Sequence, residues 1–370
     1  MMDNNLKNNA RKKIVFTGGG TTGHVSLNLV LIPLFLADGW EVFYVGSHSG
    51  MERQLIGEID HVRYITVNTG KFRRYFSWRN LKDIFLIIAG IWQAFWFFRK
   101  EKVAVVFSKG GFVSFPVIVG GWLNGVPILL HESDMTPGLA NRLSMPFASV
   151  VLTTFEETRV GIWSKKVKHV GPIIRKEVGQ GKAEDGATLT GFDLQKPTLL
   201  VMGGSLGAQK INQAIRDNLD KLLLDFQVVH LCGMGQVEEK ISKSGYVQFE
   251  YVNRELPSLL AMADIVVSRA GANAIFEFLF LQKPMVLIPL PLVSSRGDQL
   301  ENATFFQKKG YGEVMQDTEL SEPGRLLDAV GLVWKNRQNY IAQMEMAKLE
   351  NDHEKLFALV RDTANQVEKG

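Results

Sequence analysis

The 370 residues exceed what one hydrophobic core ordinarily serves, so two domains are expected. Apolar residues make up 46% and charged residues 22%, a globular balance that excludes disorder beyond the ends of the chain. A formal net charge of +4 is small for this length and argues against a nucleic-acid binder, while the single cysteine, Cys232, excludes an intrachain disulfide and fits a reducing cytosol.

Residues 1–12 are polar, rich in Asn and Lys, unlike a signal peptide, and read as a frayed tail. From Lys13 onward, β-rich runs, glycine turns and helical stretches alternate, the pattern of a doubly wound α/β domain with a parallel sheet. Strands are expected at Ile14–Thr17, Glu41–Val45, Val62–Val67, Val103–Phe107, Pro127–Leu130 and Val150–Thr153, within a first domain over 13–174. Ile84 to Phe98 is apolar apart from Gln93. At roughly 15 residues it falls short of the about 20 that cross a bilayer, and it reads either as a core helix or as a partly exposed, membrane-facing one. Segment 175–197, with Gly, Lys and Glu and little to bury, reads as a linker. A second doubly wound domain over 198–322 has strand candidates at Thr198–Met202, Gln227–Leu231, Val247–Phe249, Ile265–Ser268 and Met285–Ile288. Residues 323–370 are helical in pattern and are expected to pack back across the domains.

Gly18, Gly20 and Gly23 have the spacing of a glycine loop that lets backbone amides approach a phosphate at a helix N-terminus. A dinucleotide site would also place an acid at the end of the second strand. Here that strand ends Val45-Gly46-Ser47-His48, which disfavours a nicotinamide oxidoreductase. Gly203 to Ala208 repeats the arrangement with Ser205 at its tip, a phosphate ligand or a helix cap. Two such loops at equivalent places suggest a cleft between two facing domains. Ser268 to Ala274 opens another helix with small residues, and Glu277 lies within two turns of its start. A carboxylate there reaches back toward the N-terminus, to accept from a ribose diol or to complement the helix dipole. Asp298 and Gln299 offer partners for sugar hydroxyls, with helix capping the competing account for Asp298.

In order and spacing, Gly18–Val25 (GGGTTGHV), Gly110–Pro116 (GGFVSFP), His131–Asp134 (HESD), Gly203–Ala208 (GGSLGA), Ser268–Glu277 and Asp298-Gln299 resemble the MurG family of peptidoglycan glycosyltransferases. The resemblance runs from Lys13 to about Gly312. It implies the two-domain GT-B fold, with transfer of N-acetylglucosamine from its UDP ester (UDP-GlcNAc) to the polyprenyl-linked acceptor lipid I, giving lipid II with inversion at the anomeric carbon. Position by position it places Thr21, Thr22 and Gly23 near the donor diphosphate and sugar, Asp134 near the sugar, and Arg175 and Ser205 near the phosphates. Val252 would meet the uracil, Ala272, Asn273, Ala274, Ile275, Phe276 and Glu277 the phosphates and ribose, and Gln299, with Asp298 beside it, the sugar hydroxyls. Thr22 stands where the family more often has Gly, and Asp134 where Asn is common.

Such a reaction needs a base for the acceptor hydroxyl and a sink for charge on the departing UDP. His24 is the first candidate base, as imidazole titrates near neutrality, with Asp134 and Glu132 behind it. Helix N-termini and Arg175 would take the diphosphate, and no metal or other cofactor is expected. Lys71 to Arg79 interleaves cations with aromatics just before the apolar helix, which suits peripheral attachment to an anionic lipid surface at the cytoplasmic face of the cell membrane. No nucleic-acid partner is expected, whereas other cell-wall synthesis proteins fit the resemblance. Another GT-B enzyme, such as a glycolipid synthase or UDP-sugar epimerase, and a non-catalytic UDP-sugar-binding protein remain as alternatives.

Overall fold

The computed structural model describes residues 11–70, 78–204, 207–293, 295–349 and 351–367, with the side chains of 78–82, 366 and 367 outside that description. The chain forms two compact units, one of residues 1–173 with 351–370 and the other of residues 174–350.

In the first unit seven strands form an all-parallel sheet: β1 (Lys13–Thr17), β2 (Glu41–Gly46), β3 (Val62–Thr66), β4 (Val105–Ser108), β5 (Ile128–Glu132), β6 (Val150–Thr153) and β7 (Val167–His169), in the order β3-β2-β1-β4-β5-β6-β7. Their near-continuous apolar runs are those of strands covered on both faces. Ile14 and Phe16 point to one side, packed on α1 (Ser26–Ala37). Val15 points to the other, toward Ala94 and Phe98 of α3 (Trp78–Glu101) and Val117 of α4 (Ser114–Leu123). Between β2 and β3 lies α2 (Met51–Gly57), and α5 (Leu139–Ser144) follows β5.

The second unit carries α6 (Ala183–Thr190), β8 (Thr198–Met202), α7 (Gln209–Asp217), α8 (Leu219–Asp225), β9 (Gln227–Leu231), β10 (Tyr246–Phe249), α9 (Leu256–Met262), β11 (Ile265–Ser268), α10 (Ala272–Phe280), β12 (Met285–Leu287), α11 (Asp298–Lys308), β13 (Gly312–Val314) and α12 (Arg325–Met346). Its six parallel strands run β10-β9-β8-β11-β12-β13. One face of this sheet, with Leu199, Val201, Val228 and Val267, is covered by Ile211 and Ile215 of α7 and by Leu326, Val330 and Val333 of α12.

Two expectations need correction. The edge strands β7 and β13 were not anticipated, because three residues each, only partly buried, give too short an apolar run to stand out. Segment 175–197 is not a free linker. Its helix α6 packs on α9, and Gly186 comes so close to the Ser258 carbonyl that an added Cβ would sit 2.7 Å from it. The C-terminal helices divide between the two units. Trp334 of α12 meets Phe226 in the second unit, whereas α13 (His353–Val367) buries Leu356, Phe357 and Val360 in the first, with Phe357 on Phe35 at 4.7 Å.

Candidate active site

In each sheet the order reverses direction at one point, between β1 and β4 and between β8 and β11. In open α/β sheets, ligands bind outside the carboxyl ends of strands at such points. The glycine turns fall at both.

In the first unit the loop after β1 is held from several sides. The Tyr44 hydroxyl donates to the Gly18 carbonyl (2.7 Å), the Asn28 amide donates to Thr17 O (3.2 Å), and the Gly19 amide donates to Gly110 O (3.3 Å). Gly20 has φ of +90°, and a Cβ there would lie 2.6 Å from the Phe112 ring, so a side chain is excluded twice over. Thr22 has no positive φ and begins a 3-10 turn ending at His24, so threonine sits at this position without backbone strain. The His24 ring packs against Gly111.

Glu52, fully buried on α2, accepts from the amides of Gly20 (3.3 Å) and Ser47 (3.2 Å) and from the Ser47 hydroxyl. The carboxylate missing at the end of β2 is thus supplied from the next helix, and it organises the glycine loop itself. Burial pushes the hydroxyls of Tyr44 and Tyr64 upward, and the Glu52 charge adds to the effect.

After β5 the Glu132 carboxylate accepts from the amides of Asp134 (3.0 Å) and Gly138 (3.0 Å) and from the Asn141 side chain (2.8 Å). Buried and accepting from three donors, it holds its own turn, and to act as the base named from the sequence it would have to give up one of them. Asp134, by contrast, is only partly buried. Lys109, at the end of β4, reaches into the same turn. Its ammonium is buried, 3.0 Å from His131 Nδ1, and donates to Ser133 Oγ. Neither Glu52 nor Lys109 was singled out from the sequence.

In the second unit α10 begins after Gly271 with no side-chain cap, and a Cβ added at Gly271 would meet nothing within 4 Å. The N-terminus of this helix is therefore approachable, and its dipole favours an anion there. One and a half turns on, Glu277 accepts on Oε1 from Arg175 Nε (3.2 Å), with Arg175 Nη2 also 3.2 Å away. Burial raises the Glu277 pKa, and the Arg175 charge opposes that rise. Arg175 and Glu277, 102 positions apart, are thus brought together. Ala272 is buried, and Ile275 and Phe276 turn their side chains into the core, Phe276 onto Phe306 at 5.2 Å, so only backbone atoms of Ile275 and Phe276 are offered to a ligand. Asn273 and Ala274 are partly exposed on the same helix.

Gly297, with φ of +85°, precedes α11, so Asp298 is its first residue and not the cap. Asp298 pairs with Arg296 (3.3 Å), and Gln299 accepts from the Leu290 amide (3.1 Å). Val252, buried, follows the end of β10. Ser205 lies outside the described residues, while Gly204 beside it has φ of +89°. A second arrangement missed in the sequence is the ion pairing of buried Asp317 with Arg269 (2.7 Å) and Lys210 (2.7 Å). Arg269 also donates to the carbonyls of Ile288 and Pro289, which ties the turn before α10 to the end of β12.

Two all-parallel doubly wound units in one chain, each with a glycine turn at its switch point, have the architecture of GT-B glycosyltransferases. Family models match accordingly, the N-terminal domain of glycosyltransferase family 28 over residues 14–153 and its C-terminal domain over residues 198–358. A Geobacillus kaustophilus protein named UDP-N-acetylglucosamine–N-acetylmuramyl-(pentapeptide) pyrophosphoryl-undecaprenol N-acetylglucosamine transferase is 53% identical over 355 residues, 96% of this chain and 99% of that one. A protein of the same name from Oceanobacillus iheyensis is 54% identical over 317 residues, covering 86% and 88%. The crystal structure of Acinetobacter baumannii MurG shares the fold, with a TM-score of 0.74, 21% identity and coverage of 95% and 99%. The chain belongs to the MurG family of glycosyltransferases.

Proposed function

We propose that this chain transfers N-acetylglucosamine from UDP-GlcNAc to the muramyl 4-hydroxyl of lipid I, forming a β(1,4) bond and releasing UDP. The observation that carries this reading is the 53% identity to a transferase of that name over 96% of the chain. Donor binding is assigned to the second unit. The open N-terminus of α10 suits the diphosphate, Arg175 adds a fixed positive charge, and Glu277 presents a carboxylate to the ribose diol. Gln299 and Asp298 are assigned to the sugar, Val252 to the uracil, and Ser205 to the phosphates.

The acceptor and the base are assigned to the first unit. The acceptor O4–H bond breaks as the proton passes to His24, with Asp134 as the second choice. The new C1–O4 bond forms on the face opposite the departing UDP oxygen, which leaves with the electrons of the old C1–O bond. Thr21, Thr22 and Gly23 line the same loop.

Attachment to a membrane surface is supported by α3. Ile84, Phe85, Ile88, Trp92 and Trp96 are exposed at 45–66%, while Ile87, Ala94 and Phe98 of the same helix are buried. Leaving a large apolar side chain in water forgoes about 1.5–3 kcal/mol, so five together mark a surface meant to be covered. Among the described residues, no helix is long and apolar enough to cross a membrane. The run Lys71–Ser77 before α3 lies outside them.

Incubation with labelled UDP-GlcNAc and lipid I tests the reaction. Label is expected in a β(1,4)-linked lipid product. Release of free sugar or of its epimer, with none in the lipid, would overturn the proposal.

A further inference from the structure

Lys109 has no part in the reaction as assigned above, yet it carries an ammonium 3% exposed at the switch point of the first sheet. Burying a lone ammonium is expensive, several kcal/mol even after relaxation, and an apolar side chain of equal length would fill the same space without that cost. The surroundings show what the charge is applied to. Nζ meets His131 Nδ1 at 3.0 Å and donates to Ser133 Oγ. Burial, and next the Lys109 charge, push the His131 pKa well down, so the ring is neutral and Nδ1 is free to accept. Among the described residues, Nε2 of that buried ring has no hydrogen-bond partner, and Lys109 is the only side chain that holds the imidazole by a hydrogen bond.

We propose that Lys109 is a positioning residue for transfer: its ammonium fixes the turn 131–134, and with it Asp134, through His131 and Ser133. The inference rests on the reading that the turn carrying Asp134 serves the reaction. The titratable groups set against Lys109 are His131, Glu132 and Asp134, with His24 packed on neighbouring Gly111. Burial pulls the lysine down to about 8, and the carboxylates of Glu132 and Asp134 hold it up against that pull. The attraction is mutual, so loss of this proton releases the hold on Asp134. Because the folded pKa lies below that of an unfolded lysine, the buried charge weakens the fold at neutral pH, and stability recovers as pH rises from about 8 toward 10.5. Activity is expected to move the opposite way over that window, which a purely structural lysine would not produce.

The test is the rate of transfer from UDP-GlcNAc to lipid I between about pH 6 and about pH 10 in wild type, Lys109→Met and Lys109→Arg. Wild-type kcat is expected to fall along an alkaline limb near pH 8. Lys109→Met is expected to lose about tenfold in kcat with donor KM unmoved and the limb gone, and Lys109→Arg to recover part of the rate with the limb displaced beyond the range. A Lys109→Met enzyme within about twofold of wild type, or one retaining the wild-type limb, overturns the proposal. Nitrogen-15 NMR of the wild-type histidines gives a readout independent of turnover and of how the variants fold. His131 is expected with bare Nδ1 and protonated Nε2, and a protonated Nδ1 would overturn the proposal. Absence of lipid transfer by wild type at every pH would sink the proposed function instead, a failure separate from the NMR result.

Discussion

In the proposed function, Arg175 and Glu277 are the pair on which donor binding depends. A guanidinium offers a rigid fork of donors, and here two of its nitrogens sit 3.2 Å from one carboxylate oxygen. The second oxygen is left to accept from a ligand. Glu277→Ala removes that acceptor and also frees Arg175 to swing from its place. Donor KM is expected to rise about tenfold or more, with a smaller change in kcat, the pattern of a lost polar partner in a buried site. Steady-state kinetics with varied UDP-GlcNAc measures this, and an unchanged KM would contradict the assignment. Glu277 stood out in the sequence because it follows small residues at a helix start, a pattern with a physical meaning of its own. Glu52 and Lys109 were not. Their importance comes from burial and from partners 22 to 32 positions away, as with Gly20 and His131, and neither has a local signature. Glu132 was visible as a carboxylate beside a predicted strand end. Only the three donors converging on it reveal that it braces the turn.

At the level of elements, α3 resolves an ambiguity that periodicity could not. Its apolar residues number enough for a core helix, and one side does face the core through Ile87, Ala94 and Phe98. The other side carries Trp92 and Trp96, large amphipathic rings of the kind that settle at a lipid–water boundary. Basic Arg99 and Lys100 close the helix. Wild-type protein is expected to float with anionic vesicles at low salt and to lose much of that association at high salt. Replacing Phe85, Trp92 and Trp96 together by Ser should reduce flotation about tenfold or more, since three exposed apolar side chains contribute roughly 1.5–3 kcal/mol each when fully buried. Equal flotation by the triple variant would show that this face does not meet the membrane. The central strands were readable because each is a short run of largely apolar residues, many of them β-branched or aromatic, bounded by turn residues. The short edges β7 and β13 were hidden for want of such a run. Helix α6 was mistaken for linker because it meets α9 at a glycine, Gly186, with Gly181 just before the helix also against α9, and such close approaches leave no hydrophobic pattern.

For the molecule as a whole, the two-sheet plan followed from alternating elements and repeated glycine turns, while the partition of the C-terminal helices did not. A long helical pattern carries no mark of which core it joins. Buried Phe357 and Val360 tie α13 to the first unit, and Trp334 ties α12 to the second. The proposed division of labour between the units gives the donor nucleotide to the second, at the tip of α10. A crystal structure with UDP-GlcNAc tests it most directly. The diphosphate is expected on the backbone amides of Gly271 to Ala274, with the ribose hydroxyls on Glu277. Nucleotide density on the Gly18–Gly23 loop of the first unit, with α10 bare, would contradict it.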